Sequence, residues 1–366
     1  MMGARRIFGA AAALLLTGMA GTAGAQPATQ AAAPREPVSE SGTTDGAAYR
    51  IDVPAAWNGG LVVFYHGYEV VGQRRPATYR GLPGTDQFLR RGYAVIQSAY
   101  SRQGWAVAEA LAETAALRAA FERRFGRPNR VFAAGFSMGG HLALATVERD
   151  PSHYDGALSL CGVNLSAVQL FDRAVGDLAA IAALLPGAIP PLDGTTDVDP
   201  EALARALAAN PRAARQLVAW TGIEASDLPG AMWLYHTAVR EMRARAGGFP
   251  GSNANIRYRG FGDDAAFNRR VRRYRADPAA LPYVRANAGL TGRLRDPVVL
   301  LDNAYDDLVS VRTRTVYPGA VRALSQRGLL TILPPVGRGH CRFTQGQIGA
   351  AFDRLVAEVA RRPVSR

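Results

Sequence analysis

The chain has 366 residues, of which 48% are hydrophobic and 20% are charged, and its formal net charge is +13. Length and pattern fit one α/β domain that carries an insertion. All 43 basic residues are arginines spread along the chain, so the charge is poor evidence for a nucleic-acid partner and we expect none. The sequence has neither the ligand spacing of a zinc site nor a phosphate-binding glycine loop, and we therefore expect no metal and no cofactor.

The N-terminus has the pattern of an export signal. Arg5 and Arg6 precede an apolar run over residues 7–20, and Ala23-Gly24-Ala25 has the A-x-A form of a cleavage site. We predict that residues 1–25 are a signal peptide cleaved after Ala25, which lowers the net charge from +13 to +11. The apolar run is shorter than the roughly 20 residues of a membrane span, so we expect a secreted or periplasmic protein without a stable membrane anchor. Residues 26–46, rich in Ala, Pro, Thr and Ser, predict a disordered leader.

The next segment, residues 47–164, alternates strands and helices. Short apolar runs predict strands over residues 49–53, 61–65 and 93–97, and an amphipathic pattern predicts a helix over 105–125. Helical crossovers between successive strands imply a parallel sheet.

Gly135-Phe136-Ser137-Met138-Gly139 reads G-x-S-x-G between a predicted strand at 130–134 and a predicted helix at 138–149. A serine at such a turn exposes its hydroxyl above the sheet, and the helix N-terminus behind it favours negative charge. The flanking glycines avoid collisions that a Cβ would make there. The pattern predicts Ser137 as a nucleophile.

A predicted strand at 156–160 is followed by a helix-like pattern over residues 165–293. Proline at positions 186, 190 and 191 and an acidic loop at 193–199 interrupt it. We predict an inserted helical cap here. Trp220, Trp233 and Tyr235 either form a roof over a substrate pocket or pack between the cap helices.

The chain returns to the core over residues 294–366. The apolar run at 297–301 predicts a buried strand, and three aspartates follow it. Asp306 lies a short loop beyond the strand, where a carboxylate can reach an imidazole, whereas Asp302 caps the strand itself. We favour Asp306 as a catalytic acid, with Asp307 as the alternative.

A helix predicted at 311–327 and a strand predicted at 329–333 lead to a glycine-rich loop that contains His340. A serine hydroxyl is a weak nucleophile, so His340 would take its proton and return it to the leaving group. Asp306 would fix the imidazole tautomer and stabilise the imidazolium. The order serine, acid, histidine completes a triad.

An oxyanion hole needs two donors aimed at the tetrahedral oxygen. The N–H of Met138 is the first candidate. The second is the N–H of Tyr68, because the loop after the strand at 61–65 contains Gly67, which lets the backbone turn. We expect His66 to orient this loop, and Glu69 either binds a substrate amine or faces solvent.

These motifs, His66-Gly67, residues 135–140, Asp306 and His340, resemble those of the α/β-hydrolase superfamily of serine esterases and serine peptidases. Residues 98–105 and 339–343 further resemble secreted bacterial members described as prolyl-peptidase-like or esterase-like. The resemblance implies the α/β-hydrolase fold, a mostly parallel sheet flanked by helices with an inserted helical cap. It also implies a small-molecule or short acyl or peptidyl substrate, without identifying it.

Cys161 and Cys341 both fall at the carboxyl edge of the predicted sheet. Export permits a disulfide between them, but the distance does not follow from the sequence, so both a bridge and two thiols stay open. In tannases and feruloyl esterases cysteines lie next to both the serine and the histidine. Here Phe136 precedes Ser137, which departs from that pattern.

The function predicted from the sequence is hydrolysis of a carboxylic ester through an acyl-enzyme on Ser137, because an alcohol leaves more easily than an amine. Two alternatives stay open. One is a serine peptidase or aminopeptidase of the same fold, and the other is a noncatalytic binding module. The sequence does not indicate the oligomeric state.

Overall fold

The computed structural model describes residues 36–72 and 81–362. Within these ranges eight strands form one sheet and two short strands form a second. The strands, in chain order, are β1 (Val38–Thr44), β2 (Ala47–Val53), β3 (Gly60–Tyr65), β4 (Ala94–Ser98), β5 (Arg130–Phe136), β6 (Gly156–Leu160), β7 (Val298–Leu301), β8 (Asn303–Tyr305), β9 (Leu330–Ile332) and β10 (Val336–Arg338).

The large sheet has the order β1-β2-β4-β3-β5-β6-β7-β9, and the small one pairs β10 with β8. β1 pairs with β2, and β2 with β4, in antiparallel fashion, whereas the remaining pairs are parallel. The predicted mostly parallel sheet is therefore confirmed. Because Tyr65 of β3 pairs with Gly135 of β5, the loops after these two strands leave the same edge of the sheet side by side.

Helices cover both faces of the sheet and form the insertion. They are α1 (Asp86–Leu89), α2 (Val107–Phe125), α3 (Met138–Arg149), α4 (Ala167–Leu184), α5 (Pro200–Ala209), α6 (Pro211–Thr221), α7 (Leu228–Ala246), α8 (Asp264–Arg270), α9 (Leu281–Ala288), α10 (Val316–Ala323) and α11 (Gln345–Ala360). Helices α4 to α9 lie between β6 and β7 in the chain and form the cap. None of the described helices is long and apolar enough to cross a membrane.

The sheet has a hydrophobic core on each face because alternate side chains of a strand point to opposite sides. On β3, Leu61, Val63 and Tyr65 join a core that continues into the cap, whereas Val62 and Phe64 pack towards α11 on the other face. Every residue of β3 is buried. This explains why its sequence is a continuous apolar run rather than an alternating one.

The disordered leader predicted over 26–46 is wrong in its second half. Residues 38–44 form β1, which pairs with β2 from Val38–Val53 to Thr44–Ala47. β1 is a polar edge strand whose side chains are half-buried or exposed, so it lacks an apolar signal. The hairpin signal is the Asp45-Gly46 turn, in which both residues have positive φ. The disorder-promoting composition of the surrounding segment outweighed this signal in the prediction. The predicted signal peptide and the rest of the leader, residues 1–35, lie outside the described residues.

The C-terminal part differs from the prediction in two places. The single helix predicted over 311–327 is a 3₁₀ turn at Val311–Thr313, the helix α10, and a second 3₁₀ turn at Arg327–Leu329. The helix α11 is not among the predicted elements. Its signal is a capping box, in which Thr344 accepts from the backbone of Gln347 and the Gln347 side chain accepts from the Thr344 backbone.

Candidate active site

Ser137 lies at the sharp turn between β5 and α3, with φ 56° and ψ −120°. This left-handed conformation is strained for a serine. A Cβ on Gly135 would overlap the carbonyl of Gly139, and a Cβ on Gly139 would overlap the carbonyl of Tyr65. The two glycines therefore let the turn pack against β3, and the turn raises the Ser137 hydroxyl above the sheet edge.

Ser137, His340 and Asp306 form one hydrogen-bonded row. The Ser137 Oγ lies 2.8 Å from Nε2 of His340. Nδ1 of the same ring lies 2.9 Å and 3.0 Å from the two carboxylate oxygens of Asp306. The structure thus brings together the three side chains that the sequence predicts as a triad.

The three aspartates after β7 have different partners. Asp306 is buried, and its Oδ1 also accepts hydrogen bonds from the backbone N–H groups of Leu308 (2.9 Å) and Val309 (2.7 Å). Asp307 accepts the backbone N–H of His340 and so contacts the main chain of the histidine. Asp302 lies 3.9 Å from Arg314, and burial raises its pKa to about 6. Of the three, Asp306 alone faces the imidazole.

A disulfide holds the histidine loop. Cys341, next to His340, is bonded to Cys161, which follows β6 directly. Their Cα atoms are 5.2 Å apart, well inside the reach of a disulfide. The bridge that the sequence left open is therefore confirmed, and it ties the loop that carries the imidazole to the central sheet.

The loop after β3 passes beside the nucleophile. A Cβ on Gly67 would lie 3.3 Å from the Cβ of Ser137. The backbone N–H of Tyr68, which follows, and that of Met138, in the first turn of α3, make no hydrogen bond to a protein acceptor within the described residues. Both amides therefore stay the predicted donors of an oxyanion hole.

His66 and Glu69 belong to the same loop. Nδ1 of His66 lies 2.7 Å from the carbonyl of Gly67, and its ring stacks on Tyr100 with the centroids 3.8 Å apart. An oxygen of Glu69 lies 3.8 Å from His66 Nδ1, and the Glu69 backbone bridges to Gly104. Glu69 is not among the described residues that line the cavity, and its contact with substrate stays a prediction. The loop turns its carboxylate towards His66.

A cavity of about 350 Å³ lies between the triad and the cap. Ser137, Met138 and His340 form its base, and residues of α4 and α7 contribute the opposite wall. Its lining is mostly apolar, with aromatic side chains at Tyr68, Trp105, Phe136, Phe171 and Tyr235.

On helix α7, Tyr235 lines the cavity and Trp233 does not. Leu234, Tyr235 and Ala238 line the cavity, and the Tyr235 hydroxyl donates to the carbonyl of Leu308, 2.6 Å away. Trp233 does not line the cavity, because successive helical residues point about 100° apart. It packs against the apolar core, which agrees with the packing role that the sequence also allowed, and its role in the pocket stays a prediction.

Trp220 lies in the packing between the cap helices. Its indole N–H donates to Asp177, 2.7 Å away, and its ring lies against Tyr258 and Phe261. This is the second of the two roles that the sequence allowed for it.

Four residues of α4 that are not among the predicted site residues also line the cavity: Leu170, Phe171, Arg173 and Ala174. The i, i+1, i+4 spacing of 170, 171 and 174 marks one helical face and was a usable signal. No group of His, Cys, Asp or Glu in residues 36–72 and 81–362 has the arrangement of a metal site.

Comparison with known proteins gives distant matches. A tannase-like family of unknown function (DUF6351) matches residues 39–189, which is less than half of the chain. No curated protein matches the sequence. Among solved structures, Est1E from Butyrivibrio proteoclasticus is 13% identical over 88% of this chain and 99% of its own, with a TM-score of 0.46. Proline iminopeptidase from Mycobacterium smegmatis is 15% identical over 88% and 99%, with a TM-score of 0.44.

The decisive observation is the topology itself. The serine turn follows β5 of a mostly parallel sheet, a helical cap enters after β6, and the acid and histidine loops follow later strands. The chain has the α/β-hydrolase fold. Its candidate triad residues follow one another in the serine, acid, histidine order of that fold. The solved structures are too distant to say anything of its activity.

Proposed function

We propose that this α/β-hydrolase is an exported serine esterase that cleaves carboxylic esters through an acyl-enzyme on Ser137. The observation that supports this best is the row from the Ser137 hydroxyl through the His340 ring to the Asp306 carboxylate. Each contact in it is a hydrogen bond of ordinary length, so the arrangement is ready for proton transfer without rearrangement.

The reaction follows from this geometry. His340 Nε2 takes the Ser137 proton as Oγ attacks the ester carbonyl, while Asp306 stabilises the imidazolium. The N–H groups of Tyr68 and Met138 stabilise the tetrahedral oxyanion. Collapse breaks the bond to the alcohol oxygen, which takes the proton from His340. A water molecule then attacks the acyl-enzyme by the same route and releases the acid.

The cavity favours an ester over a peptide N-terminus. An aminopeptidase needs a carboxylate that receives the substrate amine, and the lining residues within the described chain include no aspartate or glutamate. Glu69, the candidate for that role, faces His66 instead. The apolar walls suit an uncharged acyl or alcohol group.

Export is supported by the disulfide. A bond between Cys161 and Cys341 persists in an oxidising compartment such as the periplasm or the extracellular space. A cytosolic location would expose it to thiol reductants.

The test combines a covalent probe with two substrate classes. A fluorophosphonate should label the wild type and a Ser152→Ala control, whose serine is exposed, but not Ser137→Ala. Parallel assays on 4-nitrophenyl acyl esters and aminoacyl anilides should show faster turnover of the esters. Faster turnover of the anilides would make the protein a peptidase, and folded wild type without labelling would make it a noncatalytic module.

A further inference from the structure

Arg173 is an unusual part of the cavity wall. Among the lining residues in the described chain it is the only arginine, and the lining includes no lysine, aspartate or glutamate. The hydroxyls of Tyr235 and Ser310 already donate to the backbone, to Leu308 and Thr221. A guanidinium in such an apolar wall is costly to desolvate, so it calls for an explanation.

The guanidinium is held in a fixed orientation. Its Nε donates to Asp177 Oδ2 at 2.9 Å, and its Nη2 donates to the carbonyl of Trp220 at 3.2 Å. Asp177 is itself fixed by the indole N–H of Trp220, 2.7 Å away. A side chain held in this way loses little conformational freedom when it binds a further group.

The guanidinium also has donors to spare. An arginine has five N–H groups, and Nη1 makes no hydrogen bond to another described residue. The side chain is 28% exposed although it lies in the cap packing, whereas that of Asp177 is 1% exposed. Arg173 thus lines a mostly apolar cavity and has N–H donors that no described residue uses.

We propose that Arg173 is a specificity-determining residue that donates a hydrogen bond to an uncharged oxygen of the substrate, such as the carbonyl of a second ester or amide group. The proposal rests on the proposed esterase function and names its substrate class. Asp177 already neutralises the guanidinium, so a substrate carboxylate would leave a net negative charge in an apolar cavity. A neutral acceptor satisfies the free N–H groups without that cost.

A purely structural role for Arg173 makes a different prediction. The hydrogen bond to Trp220 O joins α4 to α6, and the ion pair with Asp177 lies within α4. Loss of these contacts would lower activity towards every substrate alike. Selectivity between substrates would then stay unchanged, so the ratio of kcat/KM values separates the two roles.

The experiment compares three esters of equal reach. All three are 4-nitrophenyl esters, and they differ at the far end of the acyl chain, which carries a methyl ester, a plain alkyl end or a carboxylate. Each compound is made in three chain lengths, which match adipate, pimelate and suberate. A second set places the same groups on the alcohol side. In one of the two sets, with the extra group on either the acyl or the alcohol side, the wild type should have a kcat/KM for the diester that is about tenfold or more above that for the alkyl ester.

Two variants probe the charge balance. Arg173→Met combined with Asp177→Asn avoids leaving a buried carboxylate unpaired and should abolish the preference for the diester. Asp177→Asn alone retains an acceptor for the Trp220 indole but removes the neutralising charge, so it should raise kcat/KM for the distal carboxylate relative to the diester. The control is Arg240→Met combined with Asp197→Asn, an ion pair of the cap outside the cavity lining, which should leave the ratios unchanged.

The outcomes are distinct. Hydrolysis of the alkyl ester that depends on Ser137 supports the esterase proposal independently of Arg173. If that ester is hydrolysed but the diester is not preferred on either side, or if the Arg173 double variant keeps the preference, the role of Arg173 is overturned. If the wild type prefers the ester with the distal carboxylate over the diester, Arg173 binds an anionic group, and the proposed substrate class with an uncharged acceptor is overturned. No hydrolysis of any ester would overturn both proposals.

Discussion

Asp306 and Asp307 are adjacent in the chain but contact different parts of His340. Asp306 meets the ring Nδ1, and Asp307 meets the backbone N–H. Asp306→Asn should therefore lower kcat by about 10³–10⁴, because the amide favours the wrong imidazole tautomer. Asp307→Asn keeps an acceptor for the backbone and should cost less than about tenfold. Steady-state kinetics on one 4-nitrophenyl ester compares them directly, and a larger loss at 307 would reverse the assignment of the acid.

The triad candidates could be named from the sequence because each is marked by local pattern. Ser137 sits in a glycine-flanked pentapeptide, and His340 and Asp306 follow predicted strands in the expected order. The roles of Glu69 and Trp233 could not be obtained in this way. They depend on the direction of one side chain, which is set by helix phase at 233 and by loop packing against His66 at 69.

Asp302 gives the protein a pH-dependent stability. Burial raises its pKa from the ordinary value near 4 to about 6, so the folded state binds more protons than the unfolded state between these values. Its stabilising contribution is present below about pH 4 and is lost as the pH rises through 6. Asp302→Asn removes this loss. The free energy of unfolding of the variant minus that of the wild type should therefore be about 2–3 kcal/mol larger at pH 7.5 than at about pH 4.

Urea unfolding at both pH values measures this gain. Glu358→Gln is a suitable control, because the pKa of Glu358 is shifted in the opposite direction by the Arg354 side chain. An Asp302→Asn stability difference that is the same at both pH values would contradict the assignment.

At the scale of elements, the sequence predicts best where a strand is buried on both faces. The strands β3, β5 and β6 were placed within two residues of their ends because continuous apolar runs have one explanation in a parallel sheet. β1 has no such signal, because this edge strand is ordered by backbone pairing with β2, which leaves little trace in side-chain hydrophobicity.

The disulfide is an element-scale constraint because it joins the end of β6 to the histidine loop across 180 residues of chain. Cys161→Ala combined with Cys341→Ala should lower the free energy of unfolding by about 2–4 kcal/mol. It should also lower kcat, since the loop that carries His340 loses its attachment to the sheet. Urea unfolding with and without a thiol reductant measures the first effect.

A reductant should bring the wild type towards the double variant and leave the variant itself unchanged. Equal stability of the two proteins under oxidising conditions would show that the bridge contributes nothing to the fold.

For the whole molecule, part of the positive charge contributes to contacts within the cap. Five arginines lie in the segment 269–275. Arg272 pairs with Asp193 at 2.7 Å, and Arg273 donates to the carbonyls of Asn253 and Ile256, both at 2.8 Å. These two arginines therefore connect segments of the cap.

The cap and the sheet share one hydrophobic core, which predicts how the molecule unfolds. Cap residues such as Leu178 and Met232 belong to the same buried cluster as Val63 of β3 and Leu142 of α3. Trp105, which precedes α2, donates its indole N–H to the carbonyl of Asn287 in the cap at 2.7 Å. Separate unfolding of the cap would expose the sheet side of this core, so we expect one cooperative transition.

Tryptophan fluorescence tests this directly, because two of the four tryptophans, Trp220 and Trp233, lie in the cap and Trp57 packs on the sheet. Two variants, each retaining a single tryptophan at 57 or at 220 with phenylalanine at the other three positions, report on the base and the cap separately. In each variant the urea transition followed by fluorescence should coincide with the loss of helical circular dichroism. If fluorescence at 220 changes about 0.5 M urea or more before the circular dichroism does, the cap unfolds on its own and the shared core does not hold the two parts together.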